Sequence, residues 1–240
     1  MTFWLVVAVV RLFNLVTGHR VIRLGAGRLP AEGAAVLAIN HTAYVDFVYV
    51  GLEAYRRDRR QVRFMGKVEL SGNPVLRWAM RGCGVILVNR SAGHDSYVMA
   101  VDELRRGEVV GIYPEATISR SFELKTFKSG AARMALEADV PIVPAIVWGA
   151  QRIATKGRPR HLGRTKTPVM VSVGEPIAPA GTTEELTERL KTSMSELLLE
   201  VQTAYGAHPA GEDWVPVRLG GSAPTLDDAN EMDRRDGRNA

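Results

Sequence analysis

Along the chain, short uninterrupted apolar runs alternate with stretches of helical period. "AAVLAIN" (34–40), "QVRFMG" (61–66), "GVILV" (84–88), "VVGIYP" (109–114), "PIVPAIVWG" (141–149) and "PVMVSVG" (168–174) predict strands. "TAYVDFVYVGLEAY" (42–55), "NPVLRWAMRG" (73–82), "HDSYVMAVDELRRG" (94–107) and "SGAARMALEAD" (129–139) predict the helices between them. Gly107 is placed to close the third of these. The clearest helix is expected over 182–205, where Thr182 and Glu185 have capping-box spacing. Leu186, Leu190, Met194, Leu197 and Val201 repeat along one of its faces.

Strands that are apolar throughout, rather than at alternate positions, belong to a sheet covered on both sides. The expected fold is therefore α/β, a single domain with a mostly buried mixed sheet flanked by helices, plus an N-terminal membrane-interface helix. The boundaries follow composition: 1–20 for that helix, 21–208 for the domain, and 209–240 for an extended arm and polar tail. Trp214, Val215 and Val217 are expected to pin the start of the arm.

The first segment, "MTFWLVVAVVRLFNLVTGHRVIRL", is strongly apolar, but Arg11 interrupts it within about half the length a bilayer span needs. It has no basic region ahead of the apolar stretch and no small-x-small cleavage site, so a secretory signal is not expected. Two readings stay open. One is a buried terminal helix. The other is a helix lying in a lipid interface, with Phe3, Trp4, Leu5, Phe13 and Leu15 at the acyl boundary and Arg11 and Arg20 at the headgroups. An aromatic-rich apolar start on a basic protein favours the second, and with it a peripheral position on the cytoplasmic face of a membrane.

Charge sharpens this picture. The net charge is +5, yet from Pro209 onward seven acidic residues face four basic ones, which leaves +8 on the first 208 residues. An anionic partner follows: acidic lipid, a phosphorylated small molecule or nucleic acid. Nucleic acid is disfavoured, because no zinc-finger pattern or aromatic-interleaved basic repeat appears and aromatics are only 7%. The single cysteine, Cys83, rules out an internal disulfide, and the five scattered histidines carry no metal-ligand spacing. The acid-free run "QRIATKGRPRHLGRTKTP" (151–168) reads either as a solvated loop or as a contact for headgroups or coenzyme phosphates. "RRDRRQVR" (56–63) could serve the same role.

Chemistry concentrates in "NHTAYVDF", with His41 and Asp46 five residues apart. Residues at that spacing do not share a helix face. A cooperating pair therefore needs His41 in the turn leaving a strand and Asp46 in the first turn of the next helix. Arg90 follows "GVILV", and Glu115 and Thr117 follow "VVGIY". Polar groups thus gather at the carboxyl ends of three strands, where open α/β sheets bind ligands.

In order, "NHTAYVD", "GVILVNR", "YPEATIS" and "VPIVPAI" form a series that resembles the glycerolipid acyltransferase family, typified by the 1-acylglycerol-3-phosphate acyltransferases. The resemblance covers about residues 30–150. It implies transfer of an acyl group from a thioester, acyl-CoA in the first instance, to the free hydroxyl of a lysophosphatidic acid. No cofactor is implied beyond acyl-CoA as co-substrate, and no metal. His41 would take the hydroxyl proton and Asp46 would orient it. The substrate hydroxyl is itself the nucleophile, so Cys83 has no role as one. Arg90 would grip the acceptor phosphate, with Arg120 and Lys128 behind it and Lys125 as a further substitute. Glu115 would bind an acceptor hydroxyl or hold Arg90, and Thr117 completes the site. The family glycine after the glutamate is Ala116 here, and the family arginine after the threonine is Ile118. The second change leaves other acceptors open, such as another lysophospholipid or a glycolipid. A hydrolase using the same pair on water and a non-enzymatic anionic-lipid-binding protein are the remaining alternatives.

Overall fold

The computed structural model of the chain describes residues 2–88 and 93–237. Seven strands form one sheet: β1 (Arg20–Leu24), β2 (Ala35–Ile39), β3 (Val62–Lys67), β4 (Ile86–Val88), β5 (Val109–Ile112), β6 (Ile142–Trp148) and β7 (Pro168–Val173), in the spatial order β1-β7-β6-β2-β5-β3-β4. Every pairing is parallel except β6–β7. The sheet is therefore mixed and mostly parallel, as the apolar runs predict, with one strand, β1, added from the segment after the first helix.

Helices cover both faces. They are α1 (Thr2–Thr17), α2 (Asp46–Asp58), α3 (Pro74–Gly82), α4 (Gly93–Arg105), α5 (Gly130–Ala138), α6 (Thr183–Tyr205) and α7 (Leu226–Arg235). The middle strand β2 shows why. All five of its residues are buried. Val36 and Ala38 join the core under α4, α5 and α6, while Ala35, Leu37 and Ile39 join the core under α2. Adjacent residues of a strand point to opposite faces, so a strand with a core on each side is apolar at every position.

The helix ends follow local rules. Thr182 Oγ1 accepts the N–H of Glu185, and Glu185 Oε2 accepts that of Thr182, which completes the expected capping box of α6. Asn73 Oδ1 caps α3 through the N–H groups of Val75 and Leu76, with Pro74 at the first helical position. Gly107 takes a positive φ just past α4.

Two regions differ from the expectation. Residues 226–235 are helix α7 instead of a loose polar tail. Thr225 caps this helix, and its Asp233 is fully buried. Composition alone misses this, because the buried contacts are ionic rather than apolar. The N-terminal helix is amphipathic in a more selective way than expected. Phe3 and Phe13 turn toward protein, against Tyr55 and His19. Trp4, Leu5, Val9, Leu12, Leu15 and Val16 are exposed. Among the described residues no helix is long and apolar enough to cross a membrane.

Candidate active site

The carboxyl ends of β6, β2 and β5 lie side by side, and the site is built from the loops that leave them. Asn40 extends β2 by one further rung. Its side chain donates to the carbonyl of Val147 at 3.1 Å and accepts the Val147 N–H at 2.7 Å. This anchors the residue before His41 against β6.

His41 then enters a tight turn whose free N–H groups converge on Asp46, the first residue of α2. Asp46 Oδ2 accepts from the backbone of Thr42 at 2.9 Å and of Ala43 at 2.7 Å. The same oxygen lies 3.2 Å from His41 Nδ1. The five-residue spacing thus joins a turn residue to the first turn of a helix, as expected. A carboxylate can only accept, so the contact places the imidazole hydrogen on Nδ1 and leaves the Nε2 lone pair for substrate. Burial pushes the Asp46 carboxyl up, opposed by its bonds to His41, Ala43 and Thr42. The Asp46 side chain is inaccessible, whereas His41 keeps 18% of its side chain exposed.

The imidazole is covered on one face. The ring of Tyr113, at the end of β5, stacks on it with centroids 3.8 Å apart and planes 15° off parallel. Burial, and next the charge of Asp46, hold the Tyr113 phenol well above its ordinary value, so it stays protonated.

Glu115 is buried and spends both oxygens on main chain. Oε1 accepts the His41 N–H at 2.8 Å, and Oε2 accepts the Lys125 N–H at 3.0 Å. Burial raises its carboxyl to about 8, although both of these bonds act the other way. Glu115 thus grips the turn that carries His41. Ala116, next to it, takes φ 59°, a left-handed conformation in which a glycine is unstrained. The loop returns to the turn when the Ser119 N–H donates to the His41 carbonyl at 2.7 Å.

The structure brings His41, Asp46 and Glu115 together. Arg90 lies outside the described residues. Thr117 is half-buried beside Ala116. Lys128 is exposed, and its N–H donates to the Pro114 carbonyl at 2.8 Å. Arg120 reaches α7, with Nη2 at 2.8 Å from Asp236 Oδ2. Lys125 is buried against Asp233 at 2.5 Å. Much of the basic run after β6 is likewise engaged by protein. Arg152 donates to Tyr205 and lies over the Trp214 ring, Arg158 pairs with Asp213, and Lys156 is buried against Asp233. Asn40 and Tyr113 stand inside the blocks "NHTAYVD" and "YPEATIS", but nothing in those blocks gave them a role, and the carboxylates of α7 lie outside every block; the fold shows what each does.

The model of the family described as "Acyltransferase" matches residues 20–148, which include His41, Asp46 and Glu115. The chain is 25% identical over 162 residues to a protein of Borreliella burgdorferi named 1-acyl-sn-glycerol-3-phosphate acyltransferase, covering 65% of this chain and 62% of that one. It is 26% identical over 124 residues to a Pseudomonas aeruginosa protein named lyso-ornithine lipid O-acyltransferase, covering 51% of this chain and 45% of that one. The chain thus spans less than two thirds of the length of either relative. Its fold is similar to the crystal structure of a 1-acyl-sn-glycerophosphate acyltransferase, PlsC, from Thermotoga maritima. That match has a TM-score of 0.66 at 21% identity and covers 80% of this chain and 76% of the other. With a family model that spans more than half of its residues and takes in the whole His41 turn, this chain belongs to the acyltransferase family.

Proposed function

We propose that the protein transfers an acyl group from a thioester, acyl-CoA, to the free hydroxyl of 1-acyl-glycerol-3-phosphate, giving phosphatidic acid. The observation that carries this reading is the His41–Asp46 pair, with Nδ1 tied to a buried carboxylate and the ring partly open to solvent. In the reaction His41 Nε2 takes the proton of the acceptor hydroxyl as its oxygen attacks the thioester carbonyl. Asp46 fixes the tautomer and favours the imidazolium that forms. The same imidazolium then returns a proton to the departing thiolate. Glu115 acts on the base by holding its backbone. Arg90, Glu115, Thr117, Arg120 and Lys128 are carried as substrate-binding residues on the strength of the family motif.

The acceptor and acyl chains would arrive through lipid. α1 packs on α3, and the pair presents Leu5, Val9, Leu12 and Leu15 beside Val75 and Trp78, all exposed. Tyr44 and Phe47, which flank Asp46, are exposed as well. An apolar surface of this extent next to cationic side chains fits a monotopic position in the interface, with Arg11 and Arg20 at headgroup level. We place this surface on the cytoplasmic leaflet.

The test is acyl transfer by purified protein in detergent, run against a panel of lyso-acceptors with and without a phosphate monoester. Transfer to 1-acyl-glycerol-3-phosphate above the others supports the reading; thioester loss that ignores every acceptor refutes it. Ile118, in place of the family arginine, favours a second reading in which another lysolipid is the acceptor. The relative named for lyso-ornithine lipid keeps that acceptor class in the panel.

A further inference from the structure

The bonds that hold the His41 turn continue past Glu115 into the C-terminal helix. The N–H of Lys125 closes on Glu115, and the Lys125 Nζ lies 2.5 Å from Asp233 Oδ2. The other oxygen of Asp233 accepts from Lys156 Nζ. Lys156 follows Thr155, whose Oγ1 donates to the Thr42 carbonyl at 2.6 Å. Ala154, just before, accepts the N–H of Tyr44 at 2.9 Å.

One loop, 115–125, therefore grips the His41 turn through Glu115 and Ser119, and a second, 154–156, grips it through Ala154 and Thr155. Each loop ends in a buried ammonium group, and both ammonium groups meet on one carboxylate. Lys125, Lys156 and Asp233 are 3%, 5% and 0% exposed. Like charges this deeply buried repel strongly unless an anion lies between them. Burial works against ionised Asp233, but the hydrogen bonds and attraction of the two lysines prevail and hold its carboxyl below the ordinary value. Arg120 and Asp236 border the cluster: Arg120 Nη1 lies 3.8 Å from Asp233, and Asp236 Oδ2 lies 2.8 Å from Arg120 Nη2 and 3.4 Å from Lys156 Nζ, but Asp236 is partly exposed and does not reach Lys125, so only Asp233 joins the two lysines. Glu231 pairs with Arg234 and Arg235 at the surface.

We propose that Asp233 is a positioning residue for His41. By joining Lys125 to Lys156 it keeps the two loops closed around the turn that carries the imidazole, although it touches neither the ring nor any reacting atom. The activity arm of its test rests on the acyl-transfer reading above; a spectroscopic arm does not.

Full-length Asp233→Asn is compared with wild type and with Asp227→Asn, which makes the same charge change on the exposed face of α7. In the transfer assay kcat of Asp233→Asn is expected to fall about tenfold or more, with donor and acceptor KM changed by less than about threefold, because a small misplacement of the base acts on the chemical step. Asp227→Asn keeps the wild-type rate. In parallel, the His41 ring resonances, assigned by comparison with His41→Ala, are expected to shift in Asp233→Asn and not in Asp227→Asn. Wild-type kcat or unshifted His41 resonances in folded Asp233→Asn overturn the proposal, as does a loss of rate no larger than the fraction unfolded. If Asp233→Asn does not fold, Lys156→Met cuts the same tie while leaving the Lys125–Asp233 pair, and the same kcat loss and shift are expected. Wild-type protein that transfers to no acceptor refutes the acyl-transfer reading, while the His41 resonances still decide the role of Asp233.

Discussion

The backbone N–H of His41 donates to Oε1 of Glu115 at 2.8 Å, from a carboxyl that burial has raised to about 8. The folded chain therefore keeps the Glu115 proton up to about pH 8, whereas an unfolded glutamate releases it near 4.5. Between these values the folded state binds more protons, so stability falls as pH rises through that window. The buried Asp46, also raised, adds in the same direction. Glu115→Gln removes one titration and leaves one main-chain N–H without its carboxylate acceptor, at a cost of about 1–3 kcal/mol at low pH. Denaturant midpoints from pH 4.5 to 8 are expected to decline more shallowly in the variant than in wild type. Equal slopes refute the assignment.

Ala116 tests the geometry of the same loop. At φ 59° an alanine is strained by about 1–2 kcal/mol, and glycine relieves this while adding about 0.4–1 kcal/mol of unfolded-state entropy. Ala116→Gly is expected to stabilise the fold modestly, by about 0.5–1 kcal/mol in denaturant unfolding. A destabilised variant contradicts a strained Ala116.

The sequence carried much of the catalytic turn and less of what holds it. The spacing of His41 and Asp46 forces a strand–turn–helix junction, and the unbroken apolar run before it forces a buried strand. Both conclusions rest on local geometry, and β2 and α2 bear them out. Glu115 was visible by its place after β5, but its partners were not, because backbone N–H groups carry no residue signature. Asp233 was hidden further. A carboxylate in a Gly/Pro/Asp-rich segment reads as solvated until the fold places Lys125 and Lys156, from two other loops, around it. Tyr113 went unmarked for the same reason, since stacking is a property of two strand ends and not of a pattern.

The exposed side of α1 gives a separate prediction. Leu12 and Leu15 are 59% and 77% exposed and belong to neither core cluster, so charge there should leave folding intact. Each leucine buried in lipid contributes about 1.5–3 kcal/mol. The double variant Leu12→Asp/Leu15→Asp is expected to bind anionic vesicles at least tenfold more weakly at an unchanged melting temperature. Undiminished sedimentation with vesicles contradicts an interfacial role for this face.

Asp46 Oδ2 serves the N–H groups of Thr42 and Ala43 and His41 Nδ1 alike, so in Asp46→Asn the amide oxygen that keeps the two backbone bonds also keeps the Nδ1 hydrogen. What the variant loses is the negative charge that favours the imidazolium formed in the reaction. A kcat loss of about 10²- to 10⁴-fold with modest KM change is expected in the transfer assay. A purely structural Asp46 would lower the melting temperature and leave the rate of the folded fraction intact.

The most direct test is His41→Ala, assayed for acyl transfer from acyl-CoA to 1-acyl-glycerol-3-phosphate beside its circular dichroism and melting curve. The account expects a folded protein whose rate has fallen by about 10³-fold or more. A folded variant that still transfers the acyl group at the wild-type rate contradicts it.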